Sequence, residues 1–121
     1  MNYSKKIMQH FLHPKNMGEM KNPDGIGKAG NPLCGDMMEV FIKVQNKKIS
    51  DIKFQTFGCA AAIASSSMLT EIAKGKTLEQ AKKLDYKSIS DGLEGLPPIK
   101  LHCSAMAIQA LKSAIKNFEN K

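Results

Sequence analysis

An α+β arrangement, an antiparallel β-hairpin with helices packed against it, is what this sequence predicts, and three observations carry the prediction. Met38, Val40, Ile42 and Val44 alternate with Glu39, Phe41 and Lys43, which is the period of a half-buried strand. A polar turn around Gln45 to Lys48 leads into Ile52, Phe54 and Thr56, which alternate with Lys53, Gln55 and Phe57 and complete the hairpin. Near the C-terminus Leu101, Ala105, Ile108, Leu111, Ile115 and Phe118 form one apolar stripe at helical spacing. Lys112, Lys116 and Glu119 face away from that stripe, so the last helix should lie across the sheet.

Taken in order, Ser4 is placed to cap a short helix in which Ile7, Met8, Phe11 and Leu12 share a face, and His13-Pro14 ends it. Residues 15 to 33 carry Gly18, Pro23, Gly25, Gly27, Gly30 and Pro32 and read as a long loop, a kind of segment that is often functional. That loop delivers Asn31-Pro32-Leu33-Cys34-Gly35-Asp36 to the hairpin. Because Cys34 precedes the first hairpin strand and Cys59 follows the second, both cysteines should reach the same end of the sheet. From Ala60 to Lys74 the chain reads as a helix ended by Gly75, and its serines 65, 66 and 67 should bond back to the preceding turn. Thr77-Leu78-Glu79-Gln80 has capping-box spacing and opens a short helix, and Ser88 is read as the cap of another ending near Gly92. In Leu96-Pro97-Pro98-Ile99-Lys100-Leu101-His102-Cys103 the prolines fix an extended approach to the last helix and set His102 and Cys103 at its start. No repeat, linker or boundary interrupts the pattern, so residues 1–121 read as a single domain.

Composition narrows the function. No apolar run approaches the roughly 20 residues that span a bilayer, and the first twelve residues lack the apolar core of a signal peptide. A cytoplasmic location is therefore expected. Three cysteines there argue against a disulfide framework and leave metal binding, catalysis or inert burial. The net charge of +7 suggests an acidic partner. Nucleic acid is a poor candidate, since the lysines are scattered, arginine is absent and the aromatics do not interleave with basic residues. A basic RNA-binding module is the weakest of three readings, and an acidic protein surface fits the charge better.

Cys59 and Cys103 each lie at a helix N-terminus, where unsatisfied N–H groups and the macrodipole favour thiolate over thiol. Three sulfurs plus one nitrogen or oxygen donor can complete a tetrahedral zinc site or hold the outer positions of a [2Fe-2S] cluster. The ligands come from separate segments rather than a tight Cys-x-x-Cys pair, an arrangement that suits a temporarily held cargo. All three sulfurs are expected at one solvent-reachable rim, and one sealed inside the molecule, or stranded beyond bonding reach of a common metal, would overturn the reading. Gly25-Ile26-Gly27-Lys28-Ala29-Gly30 superficially suggests phosphate binding but shows no strand before it and no helix after it. His10 and His13 are read as surface or packing residues.

The three cysteine motifs, Asn31 to Asp36, Thr56-Phe57-Gly58-Cys59 with the following alanines and serines, and Leu96 to Cys103, together resemble the IscU/NifU-type iron-sulfur cluster assembly scaffolds. Tyr3-Ser4 and His13-Pro14-Lys15-Asn16 extend the likeness over almost the whole chain. The resemblance implies a three-stranded antiparallel sheet packed against helices (IscU/SufE-like) and a scaffold, not an enzyme. It implies that Cys34, Cys59 and Cys103 receive iron and sulfide to build a [2Fe-2S] cluster that passes to recipient apoproteins. Asp36 or His102 would supply or influence the fourth ligand. Cys103 would be the persulfide acceptor, charged by a cysteine desulfurase. Leu96, Pro97, Pro98, Ile99 and Lys100 would be read by chaperones of the Hsp70 and J-protein type. Ferredoxin and a homodimer complete the implied partners; Fe2+ is the metal built in, and Zn2+ can occupy the same ligands.

Two departures stand out: Ile99 replaces the more usual valine of the chaperone segment, and Ala60 follows Cys59 where glycine is common. The alternative is a zinc-dependent sulfurtransferase partner of a cysteine desulfurase, as in the SufU type. Those relatives carry an insertion before the last cysteine and typically lack its neighbouring histidine. Here His102 is present and 44 positions separate Cys59 from Cys103, which favours the scaffold.

Overall fold

The hairpin is set by its turn. Asn46 and Lys47 take φ of 53° and 63°, both left-handed, as the turn that best matches the twist of paired strands requires. It joins β2 (Asp36–Gln45) to β3 (Lys48–Phe57), paired antiparallel with Val40 opposite Phe54 and Ile42 opposite Ile52. The computed structural model describes residues 3–31 and 36–121, and for Asn31 and Asp36 the backbone alone. As the alternation predicts, Met38, Val40, Ile42, Ile52 and Phe54 are buried on one face. Phe41, on the opposite face, is buried as well.

A third strand corrects the reading of residues 15 to 33 as a loop. β1 (Gly25–Asn31) pairs antiparallel with β2, Gly27 opposite Val40, giving the three-stranded antiparallel sheet that the family resemblance implies, in the order β1-β2-β3. Its glycines disguise it as a loop because they serve the packing of a helix. A Cβ on Gly27 would stand 2.1 Å from the carbonyl oxygen of Ala110 and 2.3 Å from the amide nitrogen of Ala114. Gly25 would meet Ala114 in the same way. The glycine run is thus a strand pressed against helix backbone, which also removes the phosphate-loop reading. On the other edge, Asn16 and Gly18 pair with Phe54 of β3, through bonds of 3.0 and 2.8 Å.

The helices are α1 (Lys5–Leu12), α2 (Ala60–Ala73), α3 (Leu78–Lys82), α4 (Tyr86–Gly92) and α5 (Leu101–Glu119), the last entered through a 3-10 turn at Pro98–Lys100. α5 crosses β1 and β2, α2 packs on β3 and α5, and α1 lies on α2. Ser4 caps α1 as expected, and its hydroxyl also donates to the carbonyl of Leu93 at 2.6 Å. The buried face of α1 is Ile7 with His10, while Met8 and Leu12 are exposed, because α1 meets a helix rather than a broad apolar surface. Thr77 and Gln80 form the capping box. α4 begins earlier than predicted, capped by Asp85, whose carboxylate accepts from the amides of Lys87 and Ser88. In α5 Ala105 is exposed and the buried face runs through Cys103, Ala107, Ala110, Leu111 and Ala114.

α2 is buried almost all round, and its serines do not serve the preceding turn. Ser67 Oγ instead accepts from the Lys15 amide at 2.8 Å and bonds His10 Nδ1 at 2.7 Å. Thr70 joins the same cluster, accepting from the Asn16 amide group and donating to the Ser67 carbonyl. His10 is therefore a packing residue, and His13 is exposed. Burial holds the His10 imidazole below its ordinary pKa, an effect that Glu71 opposes and Lys6 and Lys15 reinforce. Among the described residues, the hydroxyls of Ser65, Ser66 and Ser104 are buried without a hydrogen-bond partner. No helix of the described residues is long and apolar enough to cross a membrane.

Candidate metal centre

Two long helices begin side by side, and each brings a thiol. Cys59 is the N-cap residue of α2, extended at φ −82°, ψ 177°, and its carbonyl accepts the first helical bonds from Ala62 and Ile63. Its thiol is half-buried, and burial works against the charged form. The Ala62 and Ala61 amides, the Lys100 ammonium and the Cys103 thiol together outweigh that penalty and bring the Cys59 thiol below its usual range. Lys100 responds in kind: the charge of Cys59, and then a hydrogen bond to it, raise the ammonium above its ordinary value. Lys100 was legible only as part of the proline-led segment. Its place on the last residue before α5, at the same end as the α2 start, is what makes it a cation of the site.

Cys103 lies on the third residue of α5, and its sulfur is 4.0 Å from that of Cys59. Tetrahedral coordination with metal–sulfur bonds of about 2.3 Å sets two sulfurs about 3.8 Å apart, so this spacing suits two ligands of one metal. His102 stands exposed one residue earlier. Its Nδ1 donates to the carbonyl of Ile99 at 3.0 Å, and since a carbonyl can only accept, Nε2 of the neutral ring is the acceptor. That Nε2 is 3.6 Å from the Cys103 sulfur, again about the separation of two ligands on one tetrahedral ion. Among the described residues no three such side chains are already arranged around a single metal position. Sulfur and imidazole converge pairwise, and the set closes only with a further donor.

One expectation fails here. Cys103 is 0% exposed, so the two described sulfurs, of Cys59 and Cys103, do not share a solvent-reachable rim, although at 4.0 Å they are within reach of one metal. The helical period is the reason: residue 103 falls in line with 107, 110, 111 and 114, all turned into the core, whereas 102 lies a hundred degrees round, on the solvent side. Cys34 lies outside the described residues, as does the side chain of Asp36, whose backbone begins β2 opposite Asn31. In the proline-led segment Leu96 is buried as an anchor, Pro97 is half-buried, and Pro98 and Ile99 stand exposed, Ile99 at 69%.

Two thiols and an imidazole gathered at the starts of two long helices, in a three-stranded α+β domain, are donors of the types that soft metal ions prefer. The chain belongs to the NifU-like N terminal domain family, whose profile matches residues 2–121. It is 53% identical over 119 residues to an iron-sulfur cluster assembly scaffold protein IscU of Archaeoglobus fulgidus, covering 98% of this chain and 78% of that one. Against the iron-sulfur cluster assembly scaffold protein IscU of Escherichia coli the identity is 45% over 125 residues, covering 100% and 97%. Among solved structures, a putative iron-sulfur cluster assembly scaffold protein for the SUF system from Fervidobacterium islandicum matches with a TM-score of 0.73 at 25% identity, covering 93% of this chain and 96% of that one. A NifU-like N-terminal protein from Brucella abortus shares the fold, with a TM-score of 0.77 at 20% identity, over 97% and 94% of the two chains.

Proposed function

We propose that this protein is a scaffold on which a [2Fe-2S] cluster is assembled from iron and persulfide-derived sulfur and then passed to recipient apoproteins. The observation that carries the reading is the 4.0 Å approach of the Cys59 and Cys103 sulfurs at two helix starts, with His102 Nε2 beside them. α2 has no side-chain cap, and the amides of Ala61 and Ala62 in its first turn favour the charged form of the Cys59 thiol, whereas the first amide of α5, that of Leu101, donates to the Pro98 carbonyl. An anionic cluster is favoured there by the amides and by Lys100. Cys34 is the third thiolate, and Asp36 or His102 supplies the fourth ligand. Cluster and iron are cargo, so the chain need not act as an enzyme.

The same reading gives the partners: a cysteine desulfurase as sulfur donor, ferredoxin as reductant, Hsp70 and J-protein chaperones, and apoproteins of the cytoplasm. Exposed Ile99 on a proline-stiffened turn, anchored by Leu96, supports recognition of Leu96 to Lys100 as a short apolar segment. The test is anaerobic reconstitution with ferrous iron and sulfide. Wild-type protein is expected to develop the visible absorbance of a cluster and Cys103→Ser to lose it; equal absorbance in both would remove Cys103 as a ligand.

A zinc-dependent sulfurtransferase partner remains a second reading, supported by the likeness to the SUF-system structure. Metal analysis of anaerobically purified protein separates the two. Zinc that persists through incubation with iron and sulfide favours the second, and zinc displaced by them favours the scaffold.

A further inference from the structure

Where α1 is fastened to α2 there is a cavity of about 230 Å³, lined by Lys6, Gln9 and His10 of α1, by His13 and Lys15 just beyond it, and by Glu71 of α2. His10 is 5% exposed and forms part of the wall. Its neighbour Ser67 decides which ring nitrogen carries the proton. Ser67 Oγ accepts from the Lys15 amide at 2.8 Å, and the one acceptor its own hydrogen meets among the described residues is His10 Nδ1, at 2.7 Å. Burial keeps the imidazole neutral, so its single proton is on Nε2. That N–H has no protein partner among the described residues and is left to the cavity.

We propose that this cavity binds inorganic phosphate in its hydrogen phosphate form. The site is separate from the thiols and does not depend on the scaffold reading, since Ser67 follows Cys59 by eight residues, about 12 Å along the helix.

The charges on the wall favour an anion. Lys6 and Lys15 supply two ammonium groups, and among the described residues neither forms an ion pair, nor does Glu71. After burial itself, these three are the charges the His10 ring feels, Glu71 favouring its protonation and the two lysines opposing it. Two cations against one carboxylate leave positive charge in excess. Lysine binds phosphate as a point charge on a flexible stem, and the His10 Nε2–H and the Gln9 amide add neutral donors. The exposed His13 imidazole can donate or accept.

Glu71 selects among oxyanions. A carboxylate is an acceptor only, so it repels an oxyanion that has no proton to give. Sulfate and the dianion of a phosphate monoester have none, whereas hydrogen phosphate keeps one P–O–H that can donate to Glu71. Because α1, the segment after it and α2 all supply polar groups, a bound phosphate ties them together and stabilises the fold.

The experiment titrates the full, reduced chain at pH 7.5 with phosphate, sulfate or glycerol 3-phosphate, with ionic strength held constant by sodium chloride. Melting temperature and the ring-nitrogen NMR signals of His10 are followed together. Phosphate is expected to raise the melting temperature saturably, with a Kd in the millimolar range or tighter, and to shift the Nε2 signal. Sulfate and the ester should bind at least tenfold more weakly. Lys6→Gln combined with Lys15→Gln should weaken phosphate at least tenfold while leaving cluster reconstitution from iron and sulfide unchanged, which also shows that the variant is folded. Glu71→Gln should narrow the preference for phosphate over sulfate to within twofold. A melting temperature that follows ionic strength alone, or undiminished phosphate binding in the double lysine variant, overturns the site. Equal affinity of the wild type for phosphate and sulfate overturns the assignment to hydrogen phosphate. A protein that binds phosphate here but never builds a cluster sinks the scaffold reading alone.

Discussion

Among the described residues the helices fall into two groups by how they begin. α1, α3 and α4 are short, and an oxygen side chain closes each of them: Ser4, Thr77 and Asp85. α2 and α5 are the long ones and have no side-chain cap; α2 begins on a cysteine and α5 on a lysine. Short helices cannot persist without satisfied ends, because nucleation is costly and few internal bonds repay it. Long helices buried against a sheet can do without a side-chain cap, since packing holds them. The two starts without one converge where the Cys59 and Cys103 thiols are.

The contrast can be broken most severely at the packing that holds α5. Gly27→Val would drive a side chain into the backbone of Ala110 and Ala114, and a loss of about 3 kcal/mol or more is expected in urea unfolding. Removing a cap from the other group should cost less: Thr77→Ala is expected to lower stability by about 1 kcal/mol, measured the same way. Sharpening the contrast in the opposite direction, Cys59→Ser puts a good cap on α2. It should gain roughly 0.5 kcal/mol in the metal-free protein while losing cluster assembly, so that a raised melting temperature accompanies a lost function.

The smallest expected effect concerns the buried contact that α1 makes with α2. His10 is held neutral by burial, so its pKa is lower in the folded protein than in the unfolded chain. The unfolded chain then binds the extra proton first. Stability should be complete above the unfolded value, near 6.5, and should fall as pH drops through that value towards the folded one. Melting temperatures at pH 7.5 and 5.0 should differ less in His10→Gln than in wild type. An unchanged difference would place the acid sensitivity elsewhere.

Where side chains alternate or repeat with a clear period, the sequence could be read directly. β2, β3, α2 and α5 fall where period and punctuation place them, and the Thr77 capping box forms as its spacing predicts. Reading failed where a residue's use is not local. The glycines of β1 look like a loop because the reason for them is the backbone of a helix more than eighty residues away. Asp85 outcompeted Ser88 because a carboxylate reached two amides at once. Ser67 of α2 turned to partners in α1 and the segment after it, which spacing within α2 cannot show.

At the candidate site the division is similar. Sequence alone determined that cysteines stand at the starts of two helices and that an imidazole precedes one of them, because helix limits follow from proline, glycine and apolar period. Only the tertiary structure decided that the two sulfurs come within 4.0 Å, that Lys100 faces Cys59, and that Cys103 is sealed while His102 is not. The physical reason is that burial belongs to a pair of surfaces rather than to a residue. The turn of α5 that meets α2 and the sheet sets which of two adjacent side chains is lost to solvent, and that depends on how the helix is docked.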